Sequence, residues 1–295
     1  MTAILLLGAS GQIGYELSRT LAPLGKIVAP GRNECDLARP ETIVRTVNAA
    51  APALIVNAAA YTDVDGAETP EGRRAATAIN AEGPATLAKA AAGARIPIIH
   101  YSTDYVFDGT KGAPYREDDE AVPINAYGQS KHAGERMIAA SGAAHLIFRT
   151  SWIYGNRGRN FLRTMLRLAS EQKDLRVVCD QVGSPTWART VAEATAAILG
   201  RCWKPGAADA LSGLGGTYHV AAAGATSWHG FAQAIMAAAG RNVPVRAIAT
   251  AEFPRPAKRP AYSVLDCGKA ARVFGVALPD WRDQLAACLT EKADA

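Results

Sequence analysis

The 295-residue sequence predicts an α/β protein: a doubly wound parallel sheet carrying a smaller C-terminal lobe. Three observations predict it. Short apolar runs alternate with alanine-rich stretches of helical period through the first half, as repeated βαβ units do. Glycines at positions 8, 11 and 14 directly follow the first apolar run. Hydrophobic residues make up 49% of the chain and charged residues 20%, which suits a large core and excludes a disordered chain.

Taken in order, Ala3–Gly8 reads as a buried strand; its apolar run is short and has no basic lead, so it is not read as a secretion signal. Gln12–Leu24 reads as a helix with Ile13, Leu17, Leu21 and Leu24 on one face, and Lys26–Pro30 as the second strand. Pro40–Ala51 starts with the proline that a first helical turn tolerates. Leu54–Ala60 is a strand, Arg73–Ala94 a long helical stretch, and Ile96–Thr103 a strand apolar on both sides, as buried parallel strands are. The polar segment Asp104–Ile124 is too long for a plain connection, and loops of that size are usually functional. The helix Ala126–Ala140, the strand His145–Tyr154, the helix Asn160–Ser170, the strand Leu175–Asp180 and the helix Trp187–Leu199 follow. Gly206–Gly216 reads as an irregular linker. Beyond it, strands Tyr218–Ala222 and Val245–Ala249 mix with helices Trp228–Ala239, Gly268–Phe274 and Trp281–Lys292 in the smaller lobe.

No uncharged apolar run reaches the roughly 18 residues of a membrane span, so no membrane partner is expected. Lys and Arg number 32 against 27 Asp and Glu, a formal charge of +5. The cations are scattered, without the clusters that track a phosphate backbone, so no nucleic-acid partner is expected and a small anionic substrate fits better. The cysteines at 35, 179, 202, 267 and 288 are odd in number and form no CxxC, which points to reduced thiols and a cytoplasmic setting. The five histidines show no metal-ligand spacing.

The glycine triplet carries the first chemistry. Gly8 permits a tight turn, Gly11 lets backbone approach a pyrophosphate, and Gly14 allows close packing of helix on strand. The helix that opens at Gln12 and Ile13 offers free N–H groups and a positive dipole end to phosphates. A Rossmann-like dinucleotide domain follows. A sheet that takes NAD usually ends its second strand on an acid, but here Pro30-Gly31-Arg32 stands there, with Glu34 and Asp36 coming later. Arg32 can meet a 2′-phosphate in bidentate fashion, so NADPH is expected over NADH; a solvated surface arginine is the alternative. Residues 1–150 are expected to form this domain, with 174–200 returning to it, and 151–173 and 201–295 mainly the lobe.

Tyr127-Gly128-Gln129-Ser130-Lys131 opens a helix, and its i,i+4 spacing puts phenol and ammonium on one face. A cation beside a tyrosine favours the phenolate and draws its pKa toward neutrality. Such a phenol can protonate an alkoxide that forms as hydride arrives. Thr103 ends the preceding strand, where ligands of open α/β sheets bind, and can reach the same oxygen.

Gly8-x-x-Gly11-x-x-Gly14, Asn57-Ala58-Ala59, Asn80-x-x-Gly83 and Tyr127-x-x-x-Lys131 together resemble the extended short-chain dehydrogenase/reductases. More narrowly, Tyr101-Ser102-Thr103-Asp104-Tyr105-Val106-Phe107, Arg149-Thr150-Ser151-Trp152 and Gly183-Ser184-Pro185-Thr186 resemble the dTDP-4-dehydrorhamnose reductase family, and the likeness runs from residue 1 to about 289. The resemblance implies NAD(P)H-dependent reduction of a dTDP-4-keto sugar. It implies Tyr127 as acid, Lys131 lowering its pKa and holding the cofactor ribose, and Thr103 orienting the carbonyl. Thr103, Asp104 and Trp152 would contact the sugar nucleotide, while Gly11, Gln12, Ile13, Asp36, Leu37, Ala60, Tyr61 and Thr62 would line the cofactor. Trp152 offers an aromatic face and a spare N–H, though a core tryptophan is the plainer reading. Arg255, Lys258 and Arg259 lie in a proline-rich loop where they can hold a diphosphate or be simple surface charge.

One departure concerns metal. Some members of the family resemble dimers bridged by Mg²⁺ through three glutamates, and Glu16 and Glu291 suit two of those roles. Arg189 falls on the third, and a guanidinium repels a divalent cation, so no metal is expected and the chain is a monomer or a homodimer. Two other functions remain open: a nucleotide-sugar epimerase or 4,6-dehydratase, and a non-catalytic nucleotide-binding subunit. Tyr105 stands where a dehydratase needs a second carboxylate, and a mere binding module has no use for the acid at 127.

Overall fold

Alternation of strand and helix fills the first half of the computed structural model, which describes residues 2–204, 211 and 213–291. There β1 (Ala3–Leu7), α1 (Gln12–Thr20), β2 (Lys26–Val28), α2 (Pro40–Ala50) and β3 (Leu54–Asn57) succeed one another. They lead into α3 (Pro70–Thr77), α4 (Gly83–Ala94), β4 (Ile98–Thr103), α5 (Ala126–Ala139) and β5 (His145–Thr150). The second half is less regular: β6 (Ile153–Tyr154), α6 (Phe161–Glu171), β7 (Leu175–Val178), β8 (Val182–Gly183), β9 (Thr186–Trp187) and α7 (Ala188–Cys202). Then come β10 (Gly216–His219), β11 (Thr226–Ser227), α8 (Trp228–Ala238), β12 (Val245–Ile248), α9 (Gly268–Phe274) and α10 (Trp281–Thr290).

One sheet holds β2, β1, β3, β4, β5 and β10 in that spatial order, every neighbouring pair parallel. Side chains of β1 alternate between its faces. Ile4 and Leu6 join Leu17 of α1 and Val191 and Ile198 of α7 on one side. Leu5 and Leu7 join Ile43 and Val47 of α2, Leu87 of α4 and Ile138 of α5 on the other. Burying each such leucine or isoleucine stabilises by roughly 1.5–3 kcal/mol, so two covered faces fix the register. The strand order reverses between β1 and β3, and ligands of open α/β sheets sit at such a switch point, beyond the carboxyl ends of the strands.

A second core gathers Leu162 and Met165 of α6, Leu175 and Val177 of β7, Phe231 and Ile235 of α8, and Trp281 and Leu285 of α10. The chain divides between the two cores differently from the expected segments. β7 pairs with β12 in a small parallel sheet of the second core, so only α7 of the 174–200 stretch packs on the main sheet. Conversely, β10 adds to β5, and Ala270 and Phe274 of α9 pack on the main core, although both lie beyond residue 201.

Other expectations shift locally. The stretch 73–94 is not one helix, because a π-helical turn at Ala78–Glu82 separates α3 from α4. The strand expected at 145–154 breaks at Trp152, whose φ is +45°. The segment after β4 is ordered: a 3₁₀ turn at Asp104–Val106 leads to the rings of Phe107 and Tyr115, buried and stacked at 4.2 Å. Of the linker expected at 206–216, residues 206–210 and 212 lie outside the described residues, as does residue 292 at the expected end of α10. Among the described residues no helix is long and apolar enough to cross a membrane.

Candidate active site

The crevice at the switch point is shaped by backbone. Gly8 has φ +81°, and a Cβ on it would lie 2.5 Å from the Ala59 nitrogen, so the turns after β1 and β3 pass in direct contact. A Cβ on Gly14 would run into the Gly8 carbonyl, so α1 can approach the β1 turn only through a glycine there. Gly11 is the N-cap of α1, no side chain caps it, and no acid stands in the first turn. The N–H groups at Gln12 and Ile13 therefore open a helix suited to an anion. The Gln12 side chain itself turns to the lobe, accepting from Asn160 Nδ2 at 2.8 Å.

Beyond β2, Arg32, Asn33, Asp36, Arg39 and Thr42 line a cavity of about 200 Å³. Arg32 is exposed and lies 3.7 Å from the Asp36 carboxylate, a contact worth little in water. Leu37 is buried, its carbonyl pressed against Gly83 at the start of α4. The segment Ala60-Tyr61-Thr62 is clamped from the π-helical turn. Asn80 Oδ1 accepts from Tyr61 N at 2.8 Å, while Asn80 Nδ2 donates to the Tyr61 carbonyl and to Ser130 Oγ, both at 3.0 Å. Asn80 is quoted in the sequence motif above but not assigned a role there; a polar residue inside an alanine-rich helix is the signal that marks it.

Thr103 and Tyr127 meet at the carboxyl end of β4. Asn125 caps α5, its side chain accepting from Gly128 N at 2.7 Å and donating to the Lys258 carbonyl at 2.8 Å, which sets Tyr127 in the first turn. The Thr103 hydroxyl lies close enough to the phenol to act on its pKa. Burial pushes the phenol up to about 12, the Asp104 carboxylate adds to the rise, and the Thr103 hydroxyl opposes it. This corrects the expected pull toward neutrality. Lys131 stands one turn on, but its ammonium nitrogen lies 2.5 Å from the Tyr101 carbonyl and 3.2 Å from His100 Nε2, on β4. Burial brings Lys131 down to about 8 against the attraction of Glu135.

Asp104 is buried, and burial raises its carboxyl to about 6 despite three hydroxyl donors. Ser263 donates to Oδ2 at 2.5 Å, Ser151 to the same oxygen at 3.0 Å, and Thr103 to Oδ1 at 3.1 Å. Trp152 is sandwiched: a Cβ on Gly183 would strike one face of its ring, and Trp228 stacks on it at 3.5 Å and 3°. Its indole N–H is buried and has no partner among the described residues. Trp228 and Ser263 have no sequence signal pointing here, while Ser151 stands in a quoted motif without an assigned role.

The basic loop is less free than its composition implies. Asp65 Oδ2 accepts from Arg255 Nη2 at 2.5 Å and from Arg259 Nη2 at 3.0 Å. The Arg259 guanidinium also lies near the Tyr105 phenol and opposes the rise that burial imposes on it. At the expected metal position, Arg189 Nε donates to Glu16 at 3.0 Å and Nη1 pairs with Glu291. The guanidinium occupies the space between the two carboxylates, so this donor set does not fit a divalent cation.

Comparison with known proteins gives the family. The family model described as the RmlD substrate binding domain matches residues 1–293. The dTDP-4-dehydrorhamnose reductase of Burkholderia thailandensis is 48% identical, with 98% of each chain covered. The Escherichia coli K12 protein of that name is 43% identical over 95% of this chain and 94% of its own. The crystal structure of the Bacillus anthracis dTDP-4-dehydrorhamnose reductase in complex with NADP superposes with a TM-score of 0.90 at 34% identity, covering 99% of this chain and all of that one. With the family model matched over residues 1–293 and these relatives covered over more than nine-tenths of their length, the chain belongs to the RmlD family of dTDP-4-dehydrorhamnose reductases.

Proposed function

We propose that this chain reduces the C4 ketone of dTDP-4-dehydro-β-L-rhamnose to dTDP-L-rhamnose with NADPH, the last step in forming that nucleotide sugar. One observation carries the reading: a protonated Tyr127 phenol, beside the Thr103 hydroxyl, at the carboxyl end of β4 near the switch point. The relatives' names support the substrate and the NADP complex of one relative supports the cofactor.

A bound dihydronicotinamide supplies the hydride, and the chain's own residues handle the proton. Tyr127 keeps its hydrogen well above neutral pH, so it is a donor at rest, and the sugar alkoxide is the stronger base. Thr103, hydrogen-bonded to Asp104, stands beside that phenol and orients the carbonyl oxygen. Trp152 is fixed between Gly183 and Trp228, so what it has for the hexose is its ring edge and an unspent N–H, not an open ring face. Gly11, Gln12 and Ile13 would hold the cofactor diphosphate, with Asp36, Leu37, Ala60, Tyr61 and Thr62 along its length. Arg32 and Arg39 at one cavity favour a 2′-phosphate, with NADH as the weaker alternative. Arg259 steers the substrate diphosphate while sharing Asp65 with Arg255. We infer no metal step, a monomer or homodimer, and a reducing cytoplasmic setting in keeping with five free thiols.

The dehydratase alternative loses ground at Tyr105, a phenol near Arg259 where a second carboxylate would be needed. The test is NADPH oxidation with enzymatically generated dTDP-4-keto-6-deoxy-L-sugar, beside its UDP analogue. Turnover of the dTDP sugar is expected; no oxidation with either, or NAD⁺ released only on denaturing the protein, overturns the assignment.

A further inference from the structure

Behind the phenol runs a buried polar chain whose hydrogens can be placed one by one. The Ala59 backbone N–H can only donate, and it faces Asn57 Oδ1 at 3.1 Å. That contact fixes the amide, so Asn57 Nδ2, a donor, faces His100 Nδ1 at 3.1 Å. Nδ1 is therefore the bare nitrogen. Burial holds the imidazole well below its ordinary pKa and hence neutral, so its one hydrogen sits on Nε2. Nε2 lies 3.2 Å from Lys131 Nζ. An N–H aimed there is complemented by the lone pair of a free amine and opposed by an ammonium. The amine still has a hydrogen for the Tyr101 carbonyl.

We propose that His100, its hydrogen fixed on Nε2 by Asn57, is a positioning residue that parks Lys131 as a free amine and releases it on protonation. The other groups around Lys131 are Tyr101 of β4, and Tyr127 and Glu135 of its own helix, Glu135 being held in turn by Arg149 and His132. Glu135 favours the ammonium and His100 the amine, and with Lys131 near 8 both forms are populated close to neutral pH. On the reductase reading the ammonium is the working form of Lys131, so His100 helps to set where activity fails on the alkaline side. That catalytic consequence rests on the reductase reading; the placement of the hydrogens does not.

Two measurements test it. Nitrogen-15 NMR of histidine-labelled chain without cofactor reads the tautomer, and His100 bare at Nδ1 and protonated at Nε2 is expected at neutral pH. Asn57→Asp keeps an oxygen for Ala59 and offers another to Nδ1–H, which reverses the tautomer and lets bare Nε2 accept from the ammonium. The alkaline limb of kcat/KM against pH then moves up by about one unit, tenfold in proton concentration. Adding His100→Phe removes most of that shift, because the carboxylate's charge alone is left to act. A hydrogen on Nδ1 in the unaltered chain, an alkaline limb unmoved by Asn57→Asp, or an equal shift in the double variant overturns the proposal. If Asn57→Asp fails to fold, or the chain does not turn over the dTDP sugar, the wild-type spectrum decides alone, which separates this inference from the reductase reading.

Discussion

Tyr127 and Asp104 are neighbours whose protons answer to the same burial with different results. For the phenol, burial secures the acid; Tyr127→Phe is expected to lower kcat by about 10³-fold, the range of a lost general acid, with NADPH affinity nearly unchanged by fluorescence titration. Equal activity in the variant would remove the mechanism. For the carboxyl, burial raises the folded pKa to about 6, above its unfolded value. Its contribution to stability is therefore complete below the ordinary carboxylate range and fades as pH rises through about 6. The fade amounts to something on the order of 2–3 kcal/mol, and Asp104→Asn should abolish it. Urea midpoints taken from acid to neutral pH check this: a slope as steep in the variant as in the parent contradicts the assignment of the titration to Asp104.

Gly183 belongs to β8 yet acts on the sugar site, since any Cβ there meets the Trp152 ring. Gly183→Ala is expected to raise KM for the dTDP sugar about tenfold, roughly 1.4 kcal/mol, while leaving cofactor binding alone. A change in cofactor affinity of the same size would mean that the element, and not the ring, has moved. Trp152 at φ +45° needs that support, because a bulky residue in the left-handed region costs about 1–3 kcal/mol. The contrast with α1 shows what a sequence can disclose. Gly8, Gly14, Tyr127 and Lys131 are legible because each motif spans one continuous strand–turn–helix or one helical turn. Trp228 against Trp152, Ser263 against Asp104 and Asp65 against Arg259 join residues far apart in the chain, so no local period announces them. The direction of Lys131 is a third kind of case: i,i+4 spacing sets the face of the helix, but a long flexible side chain chooses its partner, and here it chooses β4.

Across the molecule, Arg189 ties the first helix to the end of the last described one through Glu16 and Glu291. Removing it leaves those carboxylates, and Glu193 beside them, without their cation. Arg189→Ala is expected to cost about 2 kcal/mol of stability, measured by chemical denaturation, and to leave kcat unchanged. Activity is also expected to be indifferent to EDTA and to added Mg²⁺; stimulation saturating at one ion per chain would contradict that. The interleaving of the two cores has a further consequence. Because α7 covers the α1 face of the sheet and β10 extends its edge, a fragment ending near residue 150 would expose Leu17 and Leu21 and leave one edge of β5 unpaired. Neither half is then an autonomous cassette: split fragments should aggregate when expressed separately and regain solubility only on co-expression, and swapping sugar specificity between homologues will require transplanting several discontinuous stretches at once.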